Sequence, residues 1–306
     1  MKQSLTVSEL CRKFLENRDG LVKESSFMRY KKHIDNHIIP FLDEIQAKDL
    51  TQQQVEDFYK MRIADGLSEN FVHDLGVLLR SIFKYGEKYY DIVNIPEKVD
   101  LVRMHSGKVQ TLSDKNIVKV LRYGELPEKI ALCLGLRIGE VCGIMGQDYR
   151  EGIISIKRTV QRLEKREGGT QLHISTPKSA DSQRKIPVPK HLRDIFSKAA
   201  DDEYILGGRT PTDPRTVTYR WKRFCEEYGI EHIKFHALRH TFATKALECG
   251  MDVKTLSDIL GHSNVSITMN LYCHPSEKHK AESMKKLWEG MGINIYDQQE
   301  DKKRPV

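Results

Sequence analysis

The chain has 306 residues, of which 39% are hydrophobic and 30% charged, a composition typical of a globular protein with room for two domains. Its longest apolar stretches, such as residues 130–136, are too short to span a membrane, and the first ten residues lack the apolar core of a signal peptide. The six cysteines form no C-x-x-C pair, which argues against a disulfide framework or a zinc site. We therefore expect a cytoplasmic protein.

The net charge of +7 is unevenly distributed along the chain. Residues 1–92 contain 14 Lys and Arg against 15 Asp and Glu, whereas the remaining residues contain 36 against 28. A basic surface favours an anionic partner. We therefore expect the second part of the chain to contain the main anion-binding surface.

Helical periodicity dominates the first ninety residues. Helices are predicted over residues 6–17 and 25–39, the second ending at Pro40, and two more begin at the N-cap candidates Thr51 and Ser68. The last of these helices carries a basic row at spacing four, formed by Arg80, Lys84 and Lys88. The spacing alone fits a solvated helix face as well as a phosphate-binding face.

The second part of the chain mixes helices with a few strands. Residues 91–110 contain Pro, Gly and scattered charges and are predicted to form a linker. Strands are predicted over residues 152–160, 171–175 and 184–188, as one small antiparallel sheet. The predicted helices cover residues 114–123, 127–135, 137–145, 189–200, 213–228, 235–248, 252–260, 264–272 and 276–288.

Two of the places that could carry chemistry are weak signals alone. Arg137 follows the turn at Gly135, with Glu140 one helical turn away, and such a pair is usually surface decoration. Lys178 lies at the tip of the predicted hairpin, where a lysine is usually just exposed to solvent.

The other two places contain histidines. His236 and Arg239 project from the same helix face, and an imidazole beside a guanidinium suits a phosphate, because one can move a proton and the other offers a planar fork. Gly261 ends a helix, so that His262 lies in a turn, and Tyr272 follows ten residues later. Taken alone, a tyrosine on a helix beside Leu271 and Cys273 is usually a half-buried core residue.

The order and spacing of these residues together resemble the catalytic set of the tyrosine recombinases, the phage integrase family. The local sequences that match are GLRIGEVCGI, STPKSADSQRKIPVP and FHALRHTFATKALECGMDVKTLSDILGHSNVSITMNLY. The resemblance to the catalytic domain covers residues 111–288, while the N-terminal helices are similar only in layout. Ala237 departs from the acidic residue of many relatives, at a position that is not catalytic in the family.

The resemblance implies a role for each residue. Tyr272 would attack the scissile phosphate and keep the 3′ end, with a tyrosine ester conserving the energy of the bond. Arg137 and Arg239 would clamp the phosphate, Lys178 would protonate the leaving 5′ oxygen, and His236 would accept the tyrosine proton. His262 would hydrogen-bond the phosphate, and Glu140 would fix the pocket from behind. Guanidinium groups can neutralise the developing charge, so no cofactor or metal is expected.

The resemblance also implies an architecture. We expect a mainly α fold: an all-α core-site-binding bundle (1–92), a linker (93–110), an α+β catalytic domain with a small antiparallel β-sheet (111–290) and a polar tail (291–306). The two domains would form a C-shaped clamp on double-stranded DNA. The residues expected to face DNA phosphates from the bundle are Arg80, Lys84, Lys88, Arg29 and Lys32.

The same resemblance implies partners and leaves alternatives open. A tetrameric synapse on DNA is expected, with the last helix docked on a neighbouring protomer through Met284, Leu287 and Trp288 or folded back on its own domain. We favour a nucleoid-associated integrase of a mobile element or prophage, with an accessory excision protein or a host DNA-bending protein as a further partner. A Xer-like resolvase of chromosome or plasmid dimers is the alternative. A DNA-binding regulator without catalysis is a different class, against which Tyr272 and Lys178 argue.

Overall fold

The computed structural model of the chain describes residues 5–94, 96–97, 109–166, 168–175, 183–231, 233–272 and 277–291. The fold divides into two compact units, one formed by residues 1–108 with 161–173 and the other by residues 109–160 with 174–306. Most of the predicted linker and the polar tail beyond Met291 lie outside the described residues. In the described ranges, no helix is both long enough and apolar enough to cross a membrane.

In the described residues, the first unit is built mainly from five α-helices, three of which start at a side-chain cap. Thr6 and Thr51 each form a capping box with the residue three positions on, and the Ser68 hydroxyl accepts a hydrogen bond from the Phe71 amide. These helices are α1 (Val7–Arg18), α2 (Glu24–His33), α3 (Ile39–Leu42), α4 (Gln52–Ala64) and α5 (Glu69–Tyr90). The predicted helix starts at Thr51 and Ser68 agree with the structure.

The prediction that a helix ends at Pro40 is wrong. A π-helical turn, Ile34–Ile38, follows α2, and the chain then continues helically through Pro40 to Leu42. Proline has no amide hydrogen to donate and falls at the start of α3, where none is needed. The π-helical turn joins α2 to α3, and in it the Ile39 amide donates a hydrogen bond to the Ile34 carbonyl five residues back.

The core of the first unit lies along one face of α5. The side chains of Leu75, Leu79, Ile82 and Phe83 are completely buried there. They pack with apolar residues of α1 and the π-helical turn, among them Leu10 and Ile34. A row of this kind at helical spacing is what made this helix recognisable from sequence.

Strands β3 (Thr159–Glu164) and β4 (Thr170–Ser175) form a two-stranded sheet, most of which belongs to the first unit. Arg166 explains this grouping: its guanidinium bonds both carboxylate oxygens of Asp19, at 2.6 and 2.8 Å, and also pairs with Glu24. It lies 4.5 Å above the Phe27 ring. The predicted domain limits do not place this segment with the first unit, because such ion pairs between distant residues leave no local sequence pattern.

The second unit contains a separate three-stranded antiparallel sheet, so the single predicted sheet is wrong. Its order is β1 (Tyr149–Arg150), β2 (Ile153–Ile156) and β5 (Arg184–Pro187), with Ile154 opposite Ile186. The predicted strand 152–160 is broken after Ile156. There Lys157 and Arg158 turn to the buried Asp148, whose carboxylate pairs with both.

Helices make up most of the rest of the second unit. They are α6 (Asp114–Tyr123), α7 (Leu126–Leu134), α8 (Ile138–Cys142), α9 (Lys190–Lys198), α10 (Pro214–Glu227), α11 (His236–Glu248), α12 (Val253–Leu260), α13 (Val265–Tyr272) and α14 (Glu277–Gly290). Glycines in the left-handed conformation end α7 and α12. Gly135 has φ +65°, and a Cβ atom there would meet the Phe242 ring at 2.4 Å. The glycine therefore lets α7 end directly against α11.

Candidate active site

Two helix C-termini hold the two arginines that the sequence singled out. The Arg239 side chain is 1% exposed and donates to the Gly135 carbonyl at 2.9 Å and to the Leu260 carbonyl at 2.8 Å. Arg137 donates to the same Leu260 carbonyl at 3.3 Å and to the Gly261 carbonyl at 3.5 Å. Helix C-termini carry partial negative charge, so α7 and α12 stabilise a pair of cations that would otherwise repel each other. The Arg137 side chain remains 39% exposed and faces solvent.

Glu140 lies behind these two arginines and links them to a third arginine, Arg184. Its carboxylate accepts from the Arg137 guanidinium at 3.0 Å and from the Arg137 amide at 2.9 Å, and it lies 3.9 Å from Arg239. Arg184 on β5 completes the group with two bonds of 3.1 and 3.0 Å. Burial alone would raise the pKa of Glu140, but the hydrogen bonds and charge of Arg184, with Arg137, hold it below its usual value. The carboxylate therefore stays ionised and fixes the arginines.

His262 connects this cluster to α13. Its Nε2 lies 2.9 Å from an Arg239 guanidinium nitrogen, which can only donate, so Nε2 is the acceptor and Nδ1 carries the proton toward Thr268, 2.8 Å away. Burial, followed by the charges of Arg239 and Arg137, lowers the pKa of His262 to about 4. The imidazole is therefore neutral at neutral pH.

Tyr272 ends α13, and its hydroxyl lies 2.5 Å from Nδ1 of His240. His240 in turn packs edge to face against His236, with ring centroids 4.5 Å apart. Burial raises the pKa of Tyr272, while the charges of Arg239 and Arg137 oppose the increase. The phenol is therefore protonated at rest and close enough to the arginines to feel their field.

His236 begins α11, and part of its side chain is accessible to solvent while neighbouring residues cover the rest. Desolvation, then His240 and the two arginines, lower the pKa of His236 to about 4. A neutral imidazole can accept a proton, as the resemblance requires of this residue. The Tyr272 hydroxyl, however, is hydrogen-bonded to His240 and not to His236.

The structure thus brings together Arg137, Glu140, Arg239, His262, His236 and Tyr272, all within the second unit. Lys178 lies outside the described residues. Among the residues that the structure describes, no group of three or more His, Cys, Asp or Glu could hold a metal ion.

Two members of the site were missed from the sequence. Arg184 lies on the same inward face of β5 as Ile186, and strand alternation alone predicts this. A buried guanidinium requires a partner of opposite charge, which predicts a carboxylate beside Arg184. His240 stands four residues after His236, the spacing that places both rings on one side of α11. Either pattern could have identified these residues.

The basic residues predicted to bind DNA lie in the first unit and have varied surroundings. Arg80 donates to the Pro96 carbonyl, and Lys32 pairs with Glu164 at 2.8 Å. Lys84 is exposed, and the Lys88 ammonium lies 5.0 Å from the centre of the Tyr89 ring. Arg29 is exposed beside Tyr30. The row on α5 therefore contains one arginine that is engaged locally and two accessible lysines.

Comparison with known proteins identifies the class. The model of the phage integrase family matches residues 110–279, and that of the phage integrase N-terminal SAM-like domain matches residues 6–61. The chain therefore belongs to the phage integrase family, the tyrosine recombinases, which are site-specific DNA recombinases. The resemblance read from the sequence is confirmed.

Relatives of two kinds are similar to the chain. A XerC-like tyrosine recombinase of Caldanaerobacter subterraneus subsp. tengcongensis is 26% identical, with 87% of this chain and 78% of the relative covered. The ICEBs1 integrase of Bacillus subtilis is 22% identical over the same shares. The fold matches that of the Tn1549 transposon integrase in complex with a circular intermediate DNA, with a TM-score of 0.77, 20% identity and coverage of 93% of this chain and 100% of that one. A lambda integrase tetramer bound to a Holliday junction gives a TM-score of 0.65 at 17% identity, with 88% and 78% covered.

Proposed function

We propose that Tyr272 is the nucleophile with which this recombinase cuts and rejoins duplex DNA. Its oxygen attacks the scissile phosphorus, a 3′-phosphotyrosine bond forms, and the bond to the 5′ oxygen breaks to leave a hydroxyl. The observation that carries the proposal is the position of the phenol, hydrogen-bonded to an imidazole and in the field of Arg137 and Arg239. A 5′ hydroxyl that attacks the ester reverses the step, so no external energy is consumed.

The other residues stabilise charge and move protons. Arg137, with its accessible guanidinium, and Arg239 neutralise the non-bridging oxygens, where the transition state gathers negative charge. His236, neutral at pH 7, accepts the proton that Tyr272 loses. His262 supports the phosphate through its contact with Arg239. Lys178 donates the proton that the departing 5′ oxygen needs, a role assigned by the family motif.

Replacing Tyr272 with phenylalanine tests the nucleophile. The variant keeps the ring, so we expect unchanged binding to a recombination site and no covalent protein–DNA adduct on a nicked suicide substrate. Tyr219, whose side chain is 63% exposed on α10, supplies the matched Tyr→Phe control, which should form adduct normally. An adduct formed by Tyr272→Phe would refute the assignment. A wild-type protein that binds but never forms an adduct would favour the regulator without catalysis.

We further propose that the reaction serves integration and excision of a mobile element or prophage. Support comes from the ICEBs1 integrase, matched over 87% of this chain, and from the fold shared with the Tn1549 integrase. The XerC-like relative keeps dimer resolution as the second candidate. The two differ in their DNA. Attachment repeats beside the coding region, joined by the purified protein into a circle, support integration, whereas conversion of a DNA dimer into monomers supports resolution.

The last helix supports assembly into an oligomer on DNA. Every described side chain from residue 280 to residue 291 is exposed, and the apolar residues recur at helical spacing. Met284, Leu287, Trp288 and Met291 are 42, 52, 37 and 63% exposed. An apolar helix stripe that its own unit leaves uncovered suits docking on a second copy of the chain. We therefore propose that α14 packs on a neighbouring protomer in the synapse.

Removing the chain from Ser276 onward separates docking on a neighbour from folding back. If α14 docks on a neighbour, the truncated protein should bind a half-site normally as one protomer and keep its melting temperature. It should lose the higher-order complexes on native gels. The variant Leu287→Asp, which keeps the chain length, should reproduce the assembly defect. A truncated protein that melts early and fails to bind a half-site would show that α14 packs on its own chain.

A further inference from the structure

The nucleophile is carried by a helix with few apolar anchors. In α13, Ile267 and Met269 are 41 and 52% exposed, and the one fully buried residue of this helix is Thr268. Val265 and Leu271 are half-buried, Tyr272 packs partly on the cluster around Leu256 and Leu260, and polar contacts supplement this limited apolar packing. Such a helix should depend strongly on those contacts for its position.

Two residues of α13, Thr268 and Tyr272, make these polar contacts. Near the middle of the helix, the Thr268 hydroxyl lies 2.8 Å from Nδ1 of His262. At its last residue, the Tyr272 hydroxyl lies 2.5 Å from Nδ1 of His240. The second contact therefore decides where the phenolic oxygen rests.

His240 is itself held firmly. It belongs to α11, whose neighbouring residues Leu238, Arg239 and Thr241 are all buried, and its ring packs edge to face against His236. Burial, together with the charge of Arg239, lowers the pKa of His240 below its ordinary value. A neutral imidazole offers one nitrogen as an acceptor, and the protonated phenol is the natural donor to it.

We propose that His240 is a positioning residue that holds the Tyr272 hydroxyl beside the arginines before DNA binds. The inference rests on the proposed role of Tyr272 as the nucleophile. His236 has no hydrogen bond to Tyr272 in the described part of the chain, and its role as acceptor of the released proton rests on the family resemblance. The two histidines thus divide the work, one orienting the phenol and the other receiving its proton. Orientation of a nucleophile matters because reaction requires a defined approach to the phosphorus.

The experiment compares His240→Leu with His240→Asn in the full chain. Leucine removes the bond, whereas asparagine places a polar atom near the position of Nδ1. We measure single-turnover adduct formation on a nicked suicide duplex at saturating protein, and amide hydrogen exchange of residues 265–272 in the free protein. Losing one hydrogen bond of this kind should slow adduct formation by about tenfold. Exchange in α13 should be faster in the leucine variant, and asparagine should restore most of both properties.

Controls separate positioning from general damage. His191→Leu, an exposed histidine on α9, should leave both measurements unchanged. Wild-type rates and exchange in His240→Leu would overturn the inference, as would faster cleavage, which would make the contact a brake. If His240→Leu does not fold, His240→Ala takes its place in both measurements. The inference would also be overturned if His240→Ala formed adduct at the same rate, and showed the same amide exchange in α13, as His240→Asn. Adduct formation by Tyr272→Phe would instead overturn the proposed function.

Discussion

Replacing Glu140 with glutamine should destabilise the second unit strongly. The carboxylate is 5% exposed and lies against Arg184 and Arg239, whose side chains are 6 and 1% exposed. Glutamine keeps the shape of the side chain but removes its charge, which leaves buried guanidinium groups without a counter-ion. Breaking a buried pair in this way costs about 3–5 kcal/mol. Domains are stable by only about 5–15 kcal/mol, so the loss is a large fraction of the total.

The chain offers a clean probe of this unit. Of its two tryptophans, Trp221 is 1% exposed and donates to the Ile233 carbonyl, while Trp288 lies on the exposed helix α14. In a Trp288→Phe background, urea unfolding followed by fluorescence therefore reports on the core of the second unit alone. The midpoint of the Glu140→Gln transition should fall with little change in its slope.

Two comparisons make the result interpretable. Glu125, an exposed carboxylate 3.4 Å from Arg220, is the matched control, and Glu125→Gln should cost less than about 1 kcal/mol. Adding Arg184→Met to Glu140→Gln removes one of the stranded cations, so the double variant should lose about 1–3 kcal/mol less than the sum of the single losses. A Glu140→Gln variant no less stable than Glu125→Gln would refute the role of the carboxylate as the counter-ion of the cluster.

Three further predictions test separate parts of the molecule. Lys178→Ala should slow cleavage of ordinary DNA far more than cleavage of DNA with a 5′-bridging phosphorothiolate, because sulfur leaves without a proton; equal slowing would remove the general-acid role. Alanine at Arg80, Lys84 and Lys88 should reduce the magnitude of the slope of log affinity against log salt by about 0.9 for each phosphate that the variant no longer binds, and an unchanged slope would mean a merely solvated face. Glu128 is buried with one oxygen unpartnered, and burial raises its pKa to about 7. Folding therefore favours the protonated form of Glu128, and the stability of the protein falls as the pH rises from about 4.5 to 7. Glutamine has no charge to acquire, so Glu128→Gln should stabilise the protein by up to about 3 kcal/mol more at pH 8 than at pH 4. Equal gains at the two pH values would contradict this prediction.

Local patterns predicted the helices well. Capping residues marked the starts of α4 and α5, and an apolar row at helical spacing identified the buried face of α5. Such signals are contained in a few consecutive residues, so no tertiary information is required. The motif that resembles the family's catalytic set was equally accessible, because its residue types, their order and the short sequences around them can be read directly from the chain.

Features that depend on distant partners were not predictable in the same way. The strand 152–160 breaks because Lys157 and Arg158 turn to the buried Asp148, and the grouping of residues 161–173 follows the pairing of Arg166 with Asp19. In the site, the family resemblance implied that His236 accepts the proton of Tyr272, whereas the fold brings His240 to the phenol. One helical turn separates these histidines, and only the packing of α13 on α11 decides which one makes the contact.

The most direct test of Tyr272 as the nucleophile is to locate the covalent bond between protein and DNA. Wild-type protein is incubated with a nicked duplex that carries its recombination site, the adduct is digested with protease and nuclease, and the modified peptide is sequenced by mass spectrometry. We predict a nucleotide attached through its 3′ phosphate to Tyr272, with a free 5′ hydroxyl on the other DNA fragment. A 5′-linked nucleotide, or attachment to any other residue, would contradict it.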